Sequence, residues 1–593
     1  MLFVSFVVKQ AFGTNTRLSK EQTMHGGQAI LQAIERSGVD YILSSPGSEW
    51  PPVWEALAEA AARGAKNPQY INCRHEAVAA AMAAGYTKVT NRPQVVMLHA
   101  TAGPLNAAMT LRAALQERTP MVIISGEIAA YGENTRVADP GGQWLHDLTD
   151  LGGSPDLLRG CVKWADRVMS AELLPSTIER ALRIAVEPPA GPVLIGIPFE
   201  CMMEEVNFPD HGKANETVRA HEVSEESIDR ALHMIATAKN PVALTEHVGG
   251  DPRAVERLIE LCELCAIPVM ETYRPAFMNF PTNHPLYLHH DPKLVDAADL
   301  VLMVDAVTPW YPASKTPKNA KIISIADEFP NSRLPYWGYN VDFALVAPPA
   351  STLDKLLKKA KACEPIAASR SAYAERSARL KEQHDSYFGK LREEARKHAA
   401  ETPIDPRWAC HALAEALPKN AVISEETTVY RGLIQETIPR QQSQSYFARI
   451  TGGLGVGLSY ALGVKLALPD RPVFALVGDG AFHYNAVPSC LGVAEEYGLP
   501  IHAVIFNNGR YLSMETSLIK YFPQGAAKNT GVHFGAQIGP RPDYQHYAKA
   551  HGGYGYRVTD PGQIKNAIEQ ALKHEAERKL TVIDLVLSDL NPR

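Results

Sequence analysis

Residues 471–511 read RPVFALVGDGAFHYNAVPSCLGVAEEYGLPIHAVIFNNGRY, and two apolar runs inside this stretch decide the fold. Val473 to Val477 stops at Gly478-Asp479-Gly480, and Ile501 to Phe506 stops at Asn507-Asn508-Gly509. Short apolar runs bounded by turn formers read as buried strands. The segment between them is long enough for a crossover helix. The strands are therefore predicted to be parallel neighbours, with the acidic turn and the Asn pair side by side at their carboxyl ends. In open α/β sheets, ligands bind at that edge.

Hard oxygen donors at such an edge suit Mg²⁺, which takes a near-octahedral shell at about 2.1 Å shared among protein, phosphate and water. Asp479 offers a carboxylate, Asn508 an amide oxygen and Arg510 a backbone carbonyl. Gly478 and Gly480 let backbone N–H groups come close to phosphate oxygens. Either triplet alone reads as an ordinary turn. Together, each closing an apolar run, they point to a magnesium diphosphate site.

GDG, a helix and NN at this spacing, preceded by GGLG at Gly452 to Gly455, resemble the cofactor motif of the thiamine diphosphate enzymes. The similar group is the one containing acetohydroxyacid synthase, pyruvate oxidase and benzoylformate decarboxylase. The resemblance implies Asp479, Asn508 and the Arg510 carbonyl as magnesium ligands, with Gly478, Gly480 and Tyr511 against the cofactor. It also implies that the Gly452 carbonyl meets the cofactor's amino group, and that Leu454 is the apolar wedge bending the cofactor into a V. Thr427 and Thr428, in VISEETTVYRG, fall at a predicted strand end where hydroxyls can meet diphosphate oxygens.

A chain of 593 residues exceeds a single core, and three domains of about 180 residues suit both this size and the family's layout. The composition, 46% hydrophobic and 21% charged, is that of a globular protein, and a net charge of −6 argues against nucleic acid as the main partner. Eight scattered cysteines form no disulfide framework. Cys262 and Cys265 make a CxxC inside a helical pattern with no second pair, which favours buried helix cysteines over a metal or redox site. Leu2 to Val8 is too short for a membrane span and lacks the features of a secretory signal, so a cytoplasmic protein with no membrane partner is expected. The first twenty or so residues read as an extension.

From Met24, helical and strand patterns alternate, the sign of an α/β doubly wound parallel sheet. Residues 24–202 resemble the family's pyrimidine-binding domain. Glu76 begins an Ala-rich helix directly after a strand, where the family carries the glutamate that hydrogen-bonds N1′ of the aminopyrimidine and helps draw the proton from C2 of the thiazolium. Read alone, it is a dipole-favoured surface residue. His75-Glu76 also opens an HExxH-like string, but Ala79 stands where the second histidine would be, which excludes a zinc protease. In VVMLHATAGPLN, His99 occupies a position where benzoylformate decarboxylase is similar in having histidine, and Ser48 in SPGSEWPP matches a serine that binds the substrate carboxylate there. The structural alternatives are a hydrogen-bonded loop histidine and a helix cap.

Residues 203 to 220 read as a linker, and a central α/β domain spans 221–349. No GxGxxG follows its first strand, and the Gly-Gly turn of EHVGGDPRAVERL is weak support for FAD or ADP, so neither nucleotide is expected. His284, in FPTNHP, aligns with a proton-transferring histidine of benzoylformate decarboxylase, although His-Pro is common here across the group. The sequence leaves the role of His289-His290 open, and Trp310 and Tyr311 read as interface packing. Residues 350–403 read as a helical linker carrying a charge-laced helix over Ser371 to Ala400, and 404–593 as the diphosphate-binding domain.

Glu76 and Asp479 lie on different domains, so the cofactor must bridge them. In the family it bridges two subunits, which implies a homodimer or homotetramer. The implied reaction is decarboxylation of a 2-oxo acid, with His99 and His284 supplying protons for aldehyde release. The competing expectations are an acetohydroxyacid synthase-like carboligase, a 2-hydroxyacyl-CoA lyase-type enzyme, and a non-catalytic paralogue. Pocket walls such as Tyr484, Ser513, Met514 and the 525–542 loop have no readable shape in the sequence.

Overall fold

The computed structural model describes residues 22–64, 68–127, 152–208, 222–272, 275–331, 337–448 and 453–588. Gly452 and the extension ahead of residue 22 lie outside them. The first part contributes β1 (Gln22–His25), β2 (Tyr41–Ser45), β3 (Gln69–Asn72), β4 (Val95–Leu98), β5 (Met121–Glu127), β6 (Trp164–Arg167), β7 (Pro192–Pro198) and β8 (Glu205–Phe208). β3, β2, β4, β5, β7 and β6 form one parallel sheet in that order, while β1 and β8 pair antiparallel beside it. The stretch read as a linker thus begins with a strand.

The central part contributes β9 (Pro241–Thr245), β10 (Val269–Glu271), β11 (Leu300–Val304), β12 (Lys321–Ala326) and β13 (Phe343–Val346), ordered β10-β9-β11-β12-β13 and all parallel. The last part contributes β14 (Val422–Glu426), β15 (Tyr446–Ala448), β16 (Val473–Gly478), β17 (Ile501–Asn507), β18 (Tyr554–Val558) and β19 (Thr581–Val586), ordered β15-β14-β16-β17-β19-β18. β16 and β17 are parallel neighbours, with Val473 opposite Ile501 and Gly478 opposite Phe506. Their side chains are buried on both faces, which is why the runs are continuously apolar rather than alternating.

Counted within each sheet, the first and last share the order 2-1-3-4-6-5 and the central one has 2-1-3-4-5. In all three, chain order reverses between the first and third strands, and at that switch point crossovers leave a crevice at the carboxyl edge. The crevices lie between β2 and β4, β9 and β11, and β14 and β16.

Two contacts fix the outer sheets together and tie the central one to the last. The Glu76–Thr90 helix packs against the Gly457–Ala467 helix so closely that a Cβ on Gly85 would fall 2.3 Å from the Tyr460 carbonyl oxygen, and one on Gly463 2.1 Å from that of Met82. Arg440 is buried against the central domain, donating to Glu271 Oε1 at 3.0 Å and Oε2 at 2.7 Å. The charge-laced stretch is a helix, Arg370–Lys397, burying only Tyr373, Leu380, His384 and Ala395. Cys262 and Cys265 are both buried on the Pro252–Cys265 helix, and burial pushes both thiols up. Trp310 packs edge-on to Tyr339 within the central part, and Tyr311 is 82% exposed. No helix among the described residues is long and apolar enough to cross a membrane.

Candidate active site

The switch point of the first sheet is built from the ends of β2 and β4, where Ser45 stands opposite Leu98. After β2 the chain turns through Pro46 to Glu49, and the Trp50 indole N–H donates to the Leu98 carbonyl (3.1 Å), locking this turn onto β4. Glu49 is wholly buried, with Oε2 2.8 Å from His99 Nδ1 and Oε1 accepting the Ala100 N–H (3.1 Å). A carboxylate only accepts, so His99 carries its proton on Nδ1 and leaves Nε2 to the opening, where the side chain is 39% exposed. The hydrogen bond that His99 donates to Glu49 holds the imidazole above its ordinary range; burial opposes this, and the charges of Glu49 and Glu76 add to it. Gly47 runs directly beneath the pair, since a Cβ there would meet His99 Nδ1 at 2.0 Å. Ser48 is exposed in the same turn.

Glu76 is the first residue of its helix because His75, in extended backbone, caps it by accepting the Ala77 N–H (3.1 Å). The Glu76 side chain is 16% exposed, and Oε2 accepts from Asn106 Nδ2 (3.1 Å) on the Ala102–Gln116 helix that follows His99. One turn further along that helix, Met109 Sδ accepts the Leu454 N–H at 3.2 Å. One helix face therefore touches Glu76 from the first domain and the partly buried Leu454 from the last.

At the switch point of the last sheet, Asp479 begins a helical turn straight after β16 and is 3% exposed. Its oxygens accept the N–H groups of Gly480 (2.8 Å) and Gly509 (2.6 Å), yet burial outweighs them and pushes the carboxyl up to about 6. Asn508, also 3% exposed, accepts the Arg510 N–H on Oδ1 (3.0 Å), and its carbonyl takes Arg541 Nη2 (2.7 Å). The Tyr511 N–H is held by the Ala536 carbonyl (2.7 Å), and its ring lies 6.5 Å from that of Tyr484. A desolvated carboxylate beside a buried amide oxygen is a hard donor set that fits Mg²⁺, and the Asn508 oxygen keeps a second lone pair for it.

Across the crevice, Thr427 is fully buried and its hydroxyl donates to Glu425 Oε1 (2.5 Å), so it is turned toward its own strand, while Thr428 is exposed one residue on. Glu426 accepts the N–H groups of Val456 (3.2 Å) and Gly457 (2.8 Å) and fixes the turn carrying Leu454 at a helix start.

His284 does not join this group. Its Nε2 lies 3.2 Å from Glu263 and its Nδ1 accepts the Leu286 N–H (3.2 Å), both within the central domain. His289 bonds Glu436 (2.9 Å) and stacks on Tyr387, bridging to the last domain. A separate convergence of His398, Glu401 and Asp405 has the Arg407 guanidinium on Asp405 (2.9 and 2.7 Å), where a cation would otherwise sit. Sequence reasoning missed Glu49 and Asn106. Glu49 lies just past one strand end and His99 just past its neighbour's, a meeting that only the register of β2 against β4 reveals, and Asn106 had no signal.

Three family profiles match the chain: "Thiamine pyrophosphate enzyme, N-terminal TPP binding domain" over 24–150, "central domain" over 228–356 and "C-terminal TPP binding domain" over 428–585. The benzoylformate decarboxylase of Pseudomonas aeruginosa is 25% identical over 505 residues, 83% of this chain and 87% of the relative. The acetolactate synthase of Bacillus subtilis is 24% identical over 588 residues, 94% of each chain. Among solved structures, the Rhodococcus jostii RHA1 thiamine diphosphate-dependent 4-hydroxybenzoylformate decarboxylase superposes with a TM-score of 0.76 at 24% identity, covering 96% of this chain and all of the other.

Proposed function

The chain belongs to the thiamine pyrophosphate enzymes, and from that premise we propose that it is a Mg²⁺-dependent decarboxylase of a 2-oxo acid that releases an aldehyde. The observation that carries this reading is the Glu49–His99 pair, 2.8 Å apart, at the crevice shared with Glu76. Bound cofactor supplies a thiazolium carbon that adds to the keto group and takes up the electrons left as CO₂ departs. Asp479, Asn508 and the Arg510 carbonyl would hold the metal, with Gly478, Gly480, Thr428 and Tyr511 along the diphosphate and Leu454 under the rings. Glu76 would hold and return the proton shared with the aminopyrimidine. Ser48 would donate to the substrate carboxylate.

In its imidazolium form, which Glu49 favours, His99 would donate its Nε2 proton to the product carbon, and a positioned general acid of this kind contributes about 10²- to 10⁴-fold. A proton delivered to that carbon would block its attack on a second carbonyl, and the aldehyde would leave once the hydroxyl proton is taken up by a base and the bond to the cofactor breaks, its electron pair returning to the cofactor. His284 is given no step, because both ring nitrogens are engaged in the central domain. Leu105 and Met109, 49% and 47% exposed beside Asn106, support a second copy of the chain closing this side. Product identification tests the reading: benzoylformate should give benzaldehyde and CO₂, whereas acetolactate from pyruvate would establish the carboligase instead.

The pH profile tests the histidine. Glu49 raises the His99 pKa, so the acid form persists to higher pH than that of a free histidine. In Glu49→Gln the carboxylate is gone, the folded pKa falls, and the basic limb of the rate profile should move to lower pH. In His99→Ala the rate should fall by about 10²-fold or more with cofactor binding retained. An unmoved basic limb in Glu49→Gln would remove His99 from the proton path.

A further inference from the structure

Glu76 stands in the first turn of its helix, and part of what holds that turn comes from the last domain. β3 is the edge strand of the first sheet. Just past its end the Cys73 N–H turns inward to the Ser44 carbonyl (2.7 Å), whereas the Asn72 N–H faces the open edge, where the Tyr497 hydroxyl accepts it (2.9 Å). Arg74 Nη2 then reaches Glu496 Oε2 (2.5 Å). Its guanidinium lies against Gly492, so closely that a Cβ there would fall 2.0 Å from Nη1. Gly492 and Glu496 belong to the Val487–Glu496 helix, and Tyr497 caps it. That helix is the crossover between β16 and β17, which lead into Asp479 and Asn508.

Two features tie this clasp to Glu76. Arg74 is in left-handed backbone, with φ of 59°, a conformation that glycine or asparagine takes at least cost. In an arginine it persists only where the surroundings impose it. Here the Arg74 N–H is held by Asn72 Oδ1 (3.2 Å) and the guanidinium by Glu496. The second feature is where the Glu76–Thr90 helix packs. Its closest approaches to the Gly457–Ala467 helix are at Met82 and Gly85, in its second and third turns. The first turn, where helices fray, relies on the His75 cap, the Asn106 amide on the Glu76 carboxyl, and the clasp.

We propose that Arg74 is a positioning residue for Glu76: by clasping the crossover helix at Gly492 and Glu496 it keeps the turn before Glu76 from shifting, and so keeps the carboxyl at Asn106 and the crevice. The proposal rests on the proton-transfer role given to Glu76 above. Arg74 and Glu496 are each 42% exposed, and an ion pair so exposed contributes little to overall stability. Its effect is therefore on position. Misplacing a catalytic group by about 1 Å can cost about 10²-fold in rate while the fold survives.

Two variants of the full-length protein loosen the clasp from opposite sides. Arg74→Asn removes the guanidinium but keeps a residue that tolerates left-handed backbone. Gly492→Ala leaves the first domain unaltered and puts a methyl group where Nη1 lies; all it meets is the mobile end of the Arg74 side chain, so the helix keeps its place. In both, amide hydrogen exchange of the cofactor-free protein should quicken over residues 74–79 and stay unchanged over 82–90, with the thermal midpoint lowered by no more than about 4 °C. With thiamine diphosphate and Mg²⁺ bound, exchange of the C2 proton for solvent deuterium should slow by about 10- to 10²-fold at unchanged cofactor affinity. Glu76→Gln separates the two claims. Wild-type C2 exchange in Glu76→Gln would overturn the role of Glu76 and the proposal with it. Slow exchange there, but wild-type exchange in Arg74→Asn or Gly492→Ala, would overturn the proposal alone. Unchanged amide exchange over 74–79, or loss of cofactor binding in either clasp variant, would overturn it as well.

Discussion

Glu76→Gln is expected to lower turnover by about 10²- to 10⁴-fold while thiamine diphosphate remains bound. The substitution keeps the side-chain length and an oxygen that can still accept from Asn106 Nδ2, so the helix start capped by His75 and its contact with the Ala102–Gln116 helix should survive. What it removes is the capacity to hold and return a proton, which Glu76 is proposed to exercise at the aminopyrimidine. Binding should persist because the proposed anchors of the diphosphate end, Asp479 and Asn508, lie more than four hundred residues away, at the edge of the last sheet. Near-normal turnover with bound cofactor would remove Glu76 from the proton path. Loss of binding would instead make it an anchoring residue.

Arg440→Ala should be the most destabilising single change at the contact between the central and last domains. Arg440 and Glu271 are 1% and 3% exposed, and the Tyr287 hydroxyl accepts from Arg440 (3.0 Å) and donates to Glu271 (2.8 Å). Removing the guanidinium leaves a buried carboxylate unpaired, which costs about 3–5 kcal/mol, or a thermal midpoint lowered by on the order of 10 °C. Replacing both partners, as in Arg440→Met with Glu271→Leu, should recover much of the loss, because the cost lies in the stranded charge more than in the missing pair. An unchanged midpoint in the single variant would show that Glu271 finds water or another partner.

The parts of the fold that could be read from sequence are those where one short segment carries its own constraint. A strand buried on both faces must be continuously apolar, and a sheet edge that takes an anion needs small or polar residues, so Val473–Val477 with Gly478-Asp479-Gly480 announced both. Long-range pairings could not be read this way. β1 and β8 meet across almost the whole first domain, with Thr23 bonding Asn207, and Phe343–Val346 pairs with β12 without a strong pattern of its own. The site shows the same division. Asp479, Asn508 and Glu76 stand where local motifs put them, but Glu49 meets His99 only through the register of β2 against β4. Arg118 finds Asp305 187 residues away. His284 shows the converse, since its FPTNHP motif was readable while Glu263, which takes its ring, sits on a helix two elements earlier.

The measurement that bears most directly on the central claim is a calorimetric titration of thiamine diphosphate into the metal-stripped protein, with and without Mg²⁺, for wild type and Asp479→Ala. The expected result is saturable binding that requires Mg²⁺ and is lost in Asp479→Ala, with the variant's thermal midpoint unchanged before ligand is added. Binding that is indifferent to Mg²⁺, or that survives in Asp479→Ala, would contradict the assignment of the β16–β17 edge as the cofactor's metal site.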